Sequence, residues 1–130
     1  MILKGFEELK VFLKKPKNIV VVGHRNPDGD AMGSTLALSK YLAKKGHNAT
    51  VVVPNEYPAF LHWLPGSDTT YRFDWQNSQS QRAIKNSEII FLLDFNALHR
   101  VGADMQNTLE QYPNDFAMID HHQQPDTVKY

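Results

Sequence analysis

Four short apolar runs constrain this chain more than any other feature: residues 18–23 (NIVVVG), 49–53 (ATVVV), 88–93 (EIIFLL) and 115–119 (DFAMI). They are rich in β-branched and aliphatic residues at successive rather than alternate positions, the pattern of strands covered on both faces of a parallel sheet. Helical periodicity lies between and before them. Phe6, Leu9, Phe12 and Leu13 share a helical spacing that Pro16 stops. From Asp30 to Lys45, Ala31, Leu36, Ala37, Tyr41 and Leu42 fall on or near one helical face, with Asp30 as N-cap and Gly46 as the stop. Helices are also expected over Ser78 to Asn86 and Ala103 to Gln111, a short strand over Thr69 to Phe73, and a single helical turn within Pro58 to Gly66. Strand–helix–strand units of these lengths imply an α/β fold: a three-layer domain with a mainly parallel sheet flanked by helices.

Composition narrows the functions open to such a domain. The 130 residues, 42% apolar and 11% aromatic, suffice for one domain with a real core. Lys plus Arg and Asp plus Glu both number 14, so the broad basic footprint of a duplex-DNA binder is missing. With no cysteine, disulfides, thiolate metal sites and thiol nucleophiles are excluded. No apolar run reaches membrane-spanning length and the N-terminal residues lack a signal-type apolar stretch, so a cytoplasmic, soluble protein without membrane contact is expected.

Three of the four runs end in residues of metal-ligand type. The first is followed by His24, Asp28 and Asp30, the third by Asp94, the fourth by Asp120, His121 and His122. Strand carboxyl ends in a parallel sheet share one edge, where ligands bind, so residues distant in sequence converge there. No comparable cluster stands at a strand start. Pro27 and Gly29 suit a tight turn that aims two carboxylates into one cavity. Carboxylates crowded together repel unless cations are present. Oxygen donors with one or two imidazoles favour Mn²⁺ or a similar divalent ion over structural zinc. Such a set could hold two ions about 3.5–4 Å apart, the arrangement that hydrolyses phosphate esters.

Each piece alone has an ordinary reading. An Asp after a strand is more often a helix cap or a turn former, and a His pair is as often a surface feature. The coincidence of three clusters at one structural position is what carries the argument. His47 and His62 read as structural, and His99 as a surface residue near Asp94. Trp63 and Trp75 could stack on a base, but packing in core or loop is the commoner role. Gly29, Gly33 and Ser34 could offer backbone N–H groups and a hydroxyl to a phosphate at a helix N-terminus. Neither a Walker A lysine pattern nor a Gly-x-Ser-x-Gly elbow is present.

The segments His24-Arg25-Asn26-Pro27-Asp28-Gly29-Asp30-Ala31 with Gly33-Ser34, Leu93-Asp94-Phe95-Asn96, and Asp120-His121-His122 resemble, in order, three motifs of the DHH phosphoesterases. Within that family the likeness is to the nano-RNase and pAp-phosphatase branch, related to the exonuclease RecJ. The resemblance implies hydrolysis of short oligonucleotides, or removal of the 3′-phosphate from adenosine 3′,5′-bisphosphate, with two Mn²⁺ ions (Mg²⁺ or Co²⁺ being alternatives). It implies that His24 and Asp28 bind one ion, Asp30 and His121 the other, and that Asp94 bridges them. A water between the ions is then the nucleophile. His122 contacts the scissile phosphate or assists proton transfer, Asp120 orients a ligand histidine, and Arg100 and Ser34 reach substrate phosphate. It leaves a homodimer open for the whole protein.

In one respect the sequence departs from the family pattern. That pattern has a further metal-binding aspartate about one strand–helix unit beyond the double histidine, then a second, substrate-binding domain with a Gly-rich segment. This chain ends eight residues after His122, and Asp126 lies too close to be that aspartate. The expectation is an incomplete N-terminal domain, residues 1–130 of a longer protein, with weak metal binding and little or no turnover by itself. Two other functions compete: an inorganic pyrophosphatase of the same superfamily, and a metal- or nucleotide-binding module without catalysis.

Overall fold

The computed structural model describes residues 6–23, 29–55, 69–93 and 101–119. Its elements are α1 (Phe6–Phe12), β1 (Asn18–Val22), α2 (Gly29–Lys44), β2 (Asn48–Val53), β3 (Tyr71–Arg72), α3 (Asn77–Asn86), β4 (Ile89–Leu93), α4 (Ala103–Glu110) and β5 (Asp115–Ile119). The five strands form one sheet in the order β3-β2-β1-β4-β5, and every pairing is parallel. The expected one-turn helix within 58–66, with His62 and Trp63, lies outside the described residues.

The apolar runs behave as two-sided strands. Val20, Val22, Val52, Ile90, Leu92 and Phe116 face one core, shared with Ile84 of α3 and Met105 and Leu109 of α4. The residues between them (Ile19, Val21, Val51, Val53, Ile89, Phe91, Leu93, Ala117) face a second core, closed by Met32, Leu36 and Leu42 of α2 and by Leu9 and Phe12 of α1. Strand side chains alternate between faces, so helices on both sides of a sheet require apolar residues at every strand position. That is the three-layer arrangement expected from the runs.

Helix boundaries follow local chemistry. Gly46 adopts a φ of 95°, its N–H donates to the Ala43 carbonyl at 3.0 Å, and the His47 N–H donates to the Leu42 carbonyl at 3.0 Å. This paired pattern, with glycine in the left-handed region, is a Schellman stop, and the expected role of Gly46 holds. Asp30 is not the N-cap: α2 already includes Gly29, so Asp30 sits in the first turn. The buried face of α2 is also rotated from the expected one. Met32, Thr35, Leu36 and Leu42 are buried, whereas Tyr41 is exposed with the Lys45 Nζ 5.6 Å from its ring centre. In α4, Met105 and Leu109 stand four residues apart and are fully buried, which fixes a helix whose weak intrinsic pattern gave little else to rely on. Among the described residues no helix is long and apolar enough to cross a membrane.

Candidate active site at the carboxyl edge of the sheet

The sheet order answers the question the three clusters raise. β1, β4 and β5, the strands that run in sequence into His24, Asp94 and Asp120, are adjacent. Val22 pairs with Leu92 and Leu92 with Met118, so the three strands are in step and finish at one level. With about 4.8 Å between neighbouring strands, their ends span about 10 Å. Strand order proceeds outward from β1 to β2 and β3 on one side, and from β4 to β5 on the other. The switch point therefore lies between β1 and β4, and the crevice outside the carboxyl ends at a switch point is where open α/β sheets bind ligands.

Helix α2 enters over this edge. A Cβ placed on Gly23 would lie 3.5 Å from Thr35 Cγ2 and 3.7 Å from Val53 Cγ1, so the second turn of α2 rests on the junction of β1 and β2. Thr35 is buried, its hydroxyl donating to the Met32 carbonyl at 3.1 Å. Ser34, one residue away, is exposed, and a Cβ on Gly33 would meet open space. The unpaired amides of a helix beginning at Gly29 belong to its first turn, so the Gly33 N–H falls within the helical ladder. Gly33 contributes room beside the helix terminus rather than a free donor.

Of the residues expected to bind metal or substrate, Asp30 is placed by its backbone in the first turn of α2 and Ser34 is exposed one turn on. His24, Asp28, Asp94, His99, Arg100, Asp120, His121 and His122 lie outside the described residues. Among the described residues, no three His, Asp or Glu side chains come together as a metal site. The donor set at the three strand ends, carboxylates plus imidazoles with no thiolate, fits a hard to borderline divalent cation such as Mn²⁺.

Two features of this edge are visible only in the structure. A cavity of about 200 Å³ lies beyond the ends of β2 and β3, lined by Pro54, Asn55, Phe73, Asp74, Val101 and Gly102. Beside it Trp75 is 76% exposed, against the expectation that it packs. The turn that carries Trp75 leaves the sheet directly after a two-residue edge strand, so among the described residues no layer covers it. His47, by contrast, is structural as expected: it is buried, and its Nδ1 accepts the Lys17 N–H at 3.0 Å.

Residues 18–130 match the family model described as DHH family, N-terminal domain. A curated relative named probable manganese-dependent inorganic pyrophosphatase, from Streptococcus agalactiae, is 28% identical over 109 residues, covering 80% of this chain and 31% of the relative. The cyclic-di-AMP phosphodiesterase GdpP of Bacillus subtilis is 24% identical over 116 residues, covering 88% of this chain and 18% of that protein. The crystal structure of an exopolyphosphatase-related protein from Bacteroides fragilis superposes with a TM-score of 0.87 at 36% identity, over 92% of this chain and 35% of that one. The chain thus spans about a third or less of the length of these proteins.

Proposed function

Since this chain belongs to the DHH family, we propose that it is the metal-holding domain of a phosphoesterase that hydrolyses short oligonucleotides or nucleotides such as adenosine 3′,5′-bisphosphate. One observation carries the reading: the three strands that run into the three motifs are neighbours in the sheet and end in step at its switch point. His24, Asp28, Asp30, Asp94 and His121 are proposed to hold two Mn²⁺ ions, with Asp94 serving both. Ions so held supply charge neutralisation at the phosphoryl oxygens and lower the pKa of an attacking water. His122 is proposed to contact the scissile phosphate and to assist proton transfer. Asp120 orients a ligand histidine by a hydrogen bond, which fixes its tautomer. Arg100 and Ser34 are proposed to hold non-bridging phosphate oxygens, for which a guanidinium and a hydroxyl are suited donors. The proposal extends to a cytoplasmic protein that works without a membrane and, as a whole, as a homodimer.

Pyrophosphate hydrolysis is the second reading, favoured by the manganese-dependent pyrophosphatase relative. The two separate in one assay. The complete gene product, with Mn²⁺ and with a chelator control, is offered adenosine 3′,5′-bisphosphate, a dinucleotide and pyrophosphate. Chelator-sensitive cleavage of either nucleotide supports the first reading, and cleavage of pyrophosphate alone the second. Mn²⁺ binding without hydrolysis of any of the three would replace both with a binding module.

A further inference from the structure

The turn after β3 holds the most exposed large apolar side chain among the described residues, Trp75. It is held in place. The Trp75 N–H donates to the Arg72 carbonyl at 3.2 Å, and the Gln76 N–H to the same carbonyl at 2.7 Å. The Arg72 N–H in turn donates to Gln76 Oε1 at 3.1 Å. The Arg72 guanidinium lies 5.1 Å from the indole centre. Asp74 fixes its plane through two parallel bonds, Nε to Oδ1 at 3.2 Å and Nη2 to Oδ2 at 3.1 Å. A bidentate pair of this kind sets orientation as well as charge. The indole therefore has a cation against one side, while most of its surface stays open to solvent.

Position decides what such a ring is for. Arg72 pairs with Val53 at the carboxyl end of β2, so Trp75 stands on the same edge of the sheet as the three motifs. β3 is two strands from β1, about 10 Å at ordinary strand spacing. Asp74 is neutralised by Arg72, so a polyanion approaching this corner meets no net repulsion from that pair. An open indole presents a π-face, which a nucleobase can cover and a bare phosphate chain cannot use. The 200 Å³ cavity lined by Phe73 and Asp74 gives room beside it for sugar and backbone.

We propose that Trp75, backed by Arg72, is a stacking platform for a nucleobase of an oligonucleotide whose scissile phosphate lies at the switch point. This rests on the nucleotide reading of the site, and it assigns a base-recognising element to the edge strand, two strands from the motifs. It predicts that substrates are distinguished by the base flanking the scissile phosphate, not by phosphates alone.

The test compares triadenylate with an abasic trimer of equal length, hydrolysed by the complete gene product with Mn²⁺. The parent is expected to favour triadenylate, and Trp75→Ala to narrow the ratio of the two KM values about tenfold, with Trp75→Phe retaining most of the preference. An unchanged ratio in Trp75→Ala overturns the platform, including the case where both KM values rise together because another part of the protein packs on the indole. If the parent hydrolyses neither trimer, the oligonucleotide part of the nucleotide reading fails, and the platform is judged by binding. In the complete gene product, saturable indole quenching by triadenylate but not by the abasic trimer, present in the parent and lost in Trp75→Phe, sustains it. No quenching by triadenylate overturns it.

Discussion

At the amino edge of the sheet, the residues that open the strands bond to one another. Asn18 donates its N–H to Glu88 Oε2 at 2.7 Å and accepts the Glu88 N–H at its carbonyl, also at 2.7 Å. Asn48 Nδ2 donates to Asn18 Oδ1 at 3.2 Å. The Tyr112 hydroxyl donates to the Ser87 carbonyl at 3.0 Å, and Asn114 Nδ2 donates to the same oxygen at 3.1 Å. The carboxyl edge has glycine at Gly23, proline at Pro54, an exposed Ser34 and an exposed Trp75, and the chain then supplies carboxylates and imidazoles. Polar residues thus stand at both edges. Those at the starts are consumed by mutual hydrogen bonds, so a polar strand end signals function only where the fold does not already use it.

The largest effect that could break this comparison is on turnover. Asp94→Ala in the complete protein is expected to lower kcat by several orders of magnitude, because a bridging ligand serves both ions. Its unfolding midpoint in urea should be unchanged or raised, since one member of a crowded carboxylate set is gone. Near-normal turnover would remove the two-metal assignment and leave the carboxyl edge no more functional than the amino edge. Next in size is Leu92→Ala. Leu92 is fully buried between β1 and β5, and truncation there should cost about 3 kcal/mol of stability, read by urea denaturation. A loss below about 1 kcal/mol would show that the shared core does not set the two edges in register.

How much of this was legible in the sequence depends on whether the signal was local. β1, β2, β4 and β5 were, because burial on both faces leaves apolar runs such as Ile19 to Val22 and Ile89 to Leu93. α4 was readable only faintly, since two buried residues, Met105 and Leu109, do most of its packing. That the motif residues follow strand ends was readable too. That β1, β4 and β5 are neighbours was not, because strand order depends on packing between distant segments. Strand starts looked empty for the same reason: the tie from Glu88 to Asn18 joins residues 70 apart. Trp75 escaped because an indole has no sequence mark that separates core from surface, and its exposure follows from a two-residue edge strand.

Tyr112 tests the amino edge at intermediate scale. Burial pushes its hydroxyl above the ordinary value of 10.0, with the negative charges of Asp115 and Glu88 adding to the rise and hydrogen bonds with Ser87 and Asn114 opposing it. Removing the hydroxyl leaves the Ser87 carbonyl with Asn114 alone, so Tyr112→Phe should cost about 1 kcal/mol near neutral pH. The pH dependence has a definite sign. Because the folded-state value is raised, the protonated hydroxyl favours the folded state. Its contribution is whole below pH 10 and is lost as pH rises from the unfolded value through the folded one. Urea denaturation from pH 8 upward should therefore show the parent losing stability in that alkaline window faster than Tyr112→Phe. Parallel curves would mean that the phenol is as solvated as in the unfolded chain.

Glu88→Gln is the smallest and the most discriminating. The glutamine keeps a side-chain oxygen to accept the Asn18 N–H, so only the charge is lost, and its cationic partner Lys17 Nζ is 3.9 Å away. Both side chains are partly exposed, at 20% and 45%, and exposed pairs contribute little because water and salt screen them. The expected loss is about 0.5 kcal/mol at low ionic strength, vanishing near 1 M salt, where the screening length falls to about 3 Å. Turnover per folded molecule should equal that of the parent. Glu88 stands at the opposite end of β4 from Asp94, a five-residue strand apart, and every bond it makes at that end ties one strand start to another. A change in kcat beyond twofold would mean that β4 transmits strain from one edge to the other, and the two edges would then have to be treated as one coupled site.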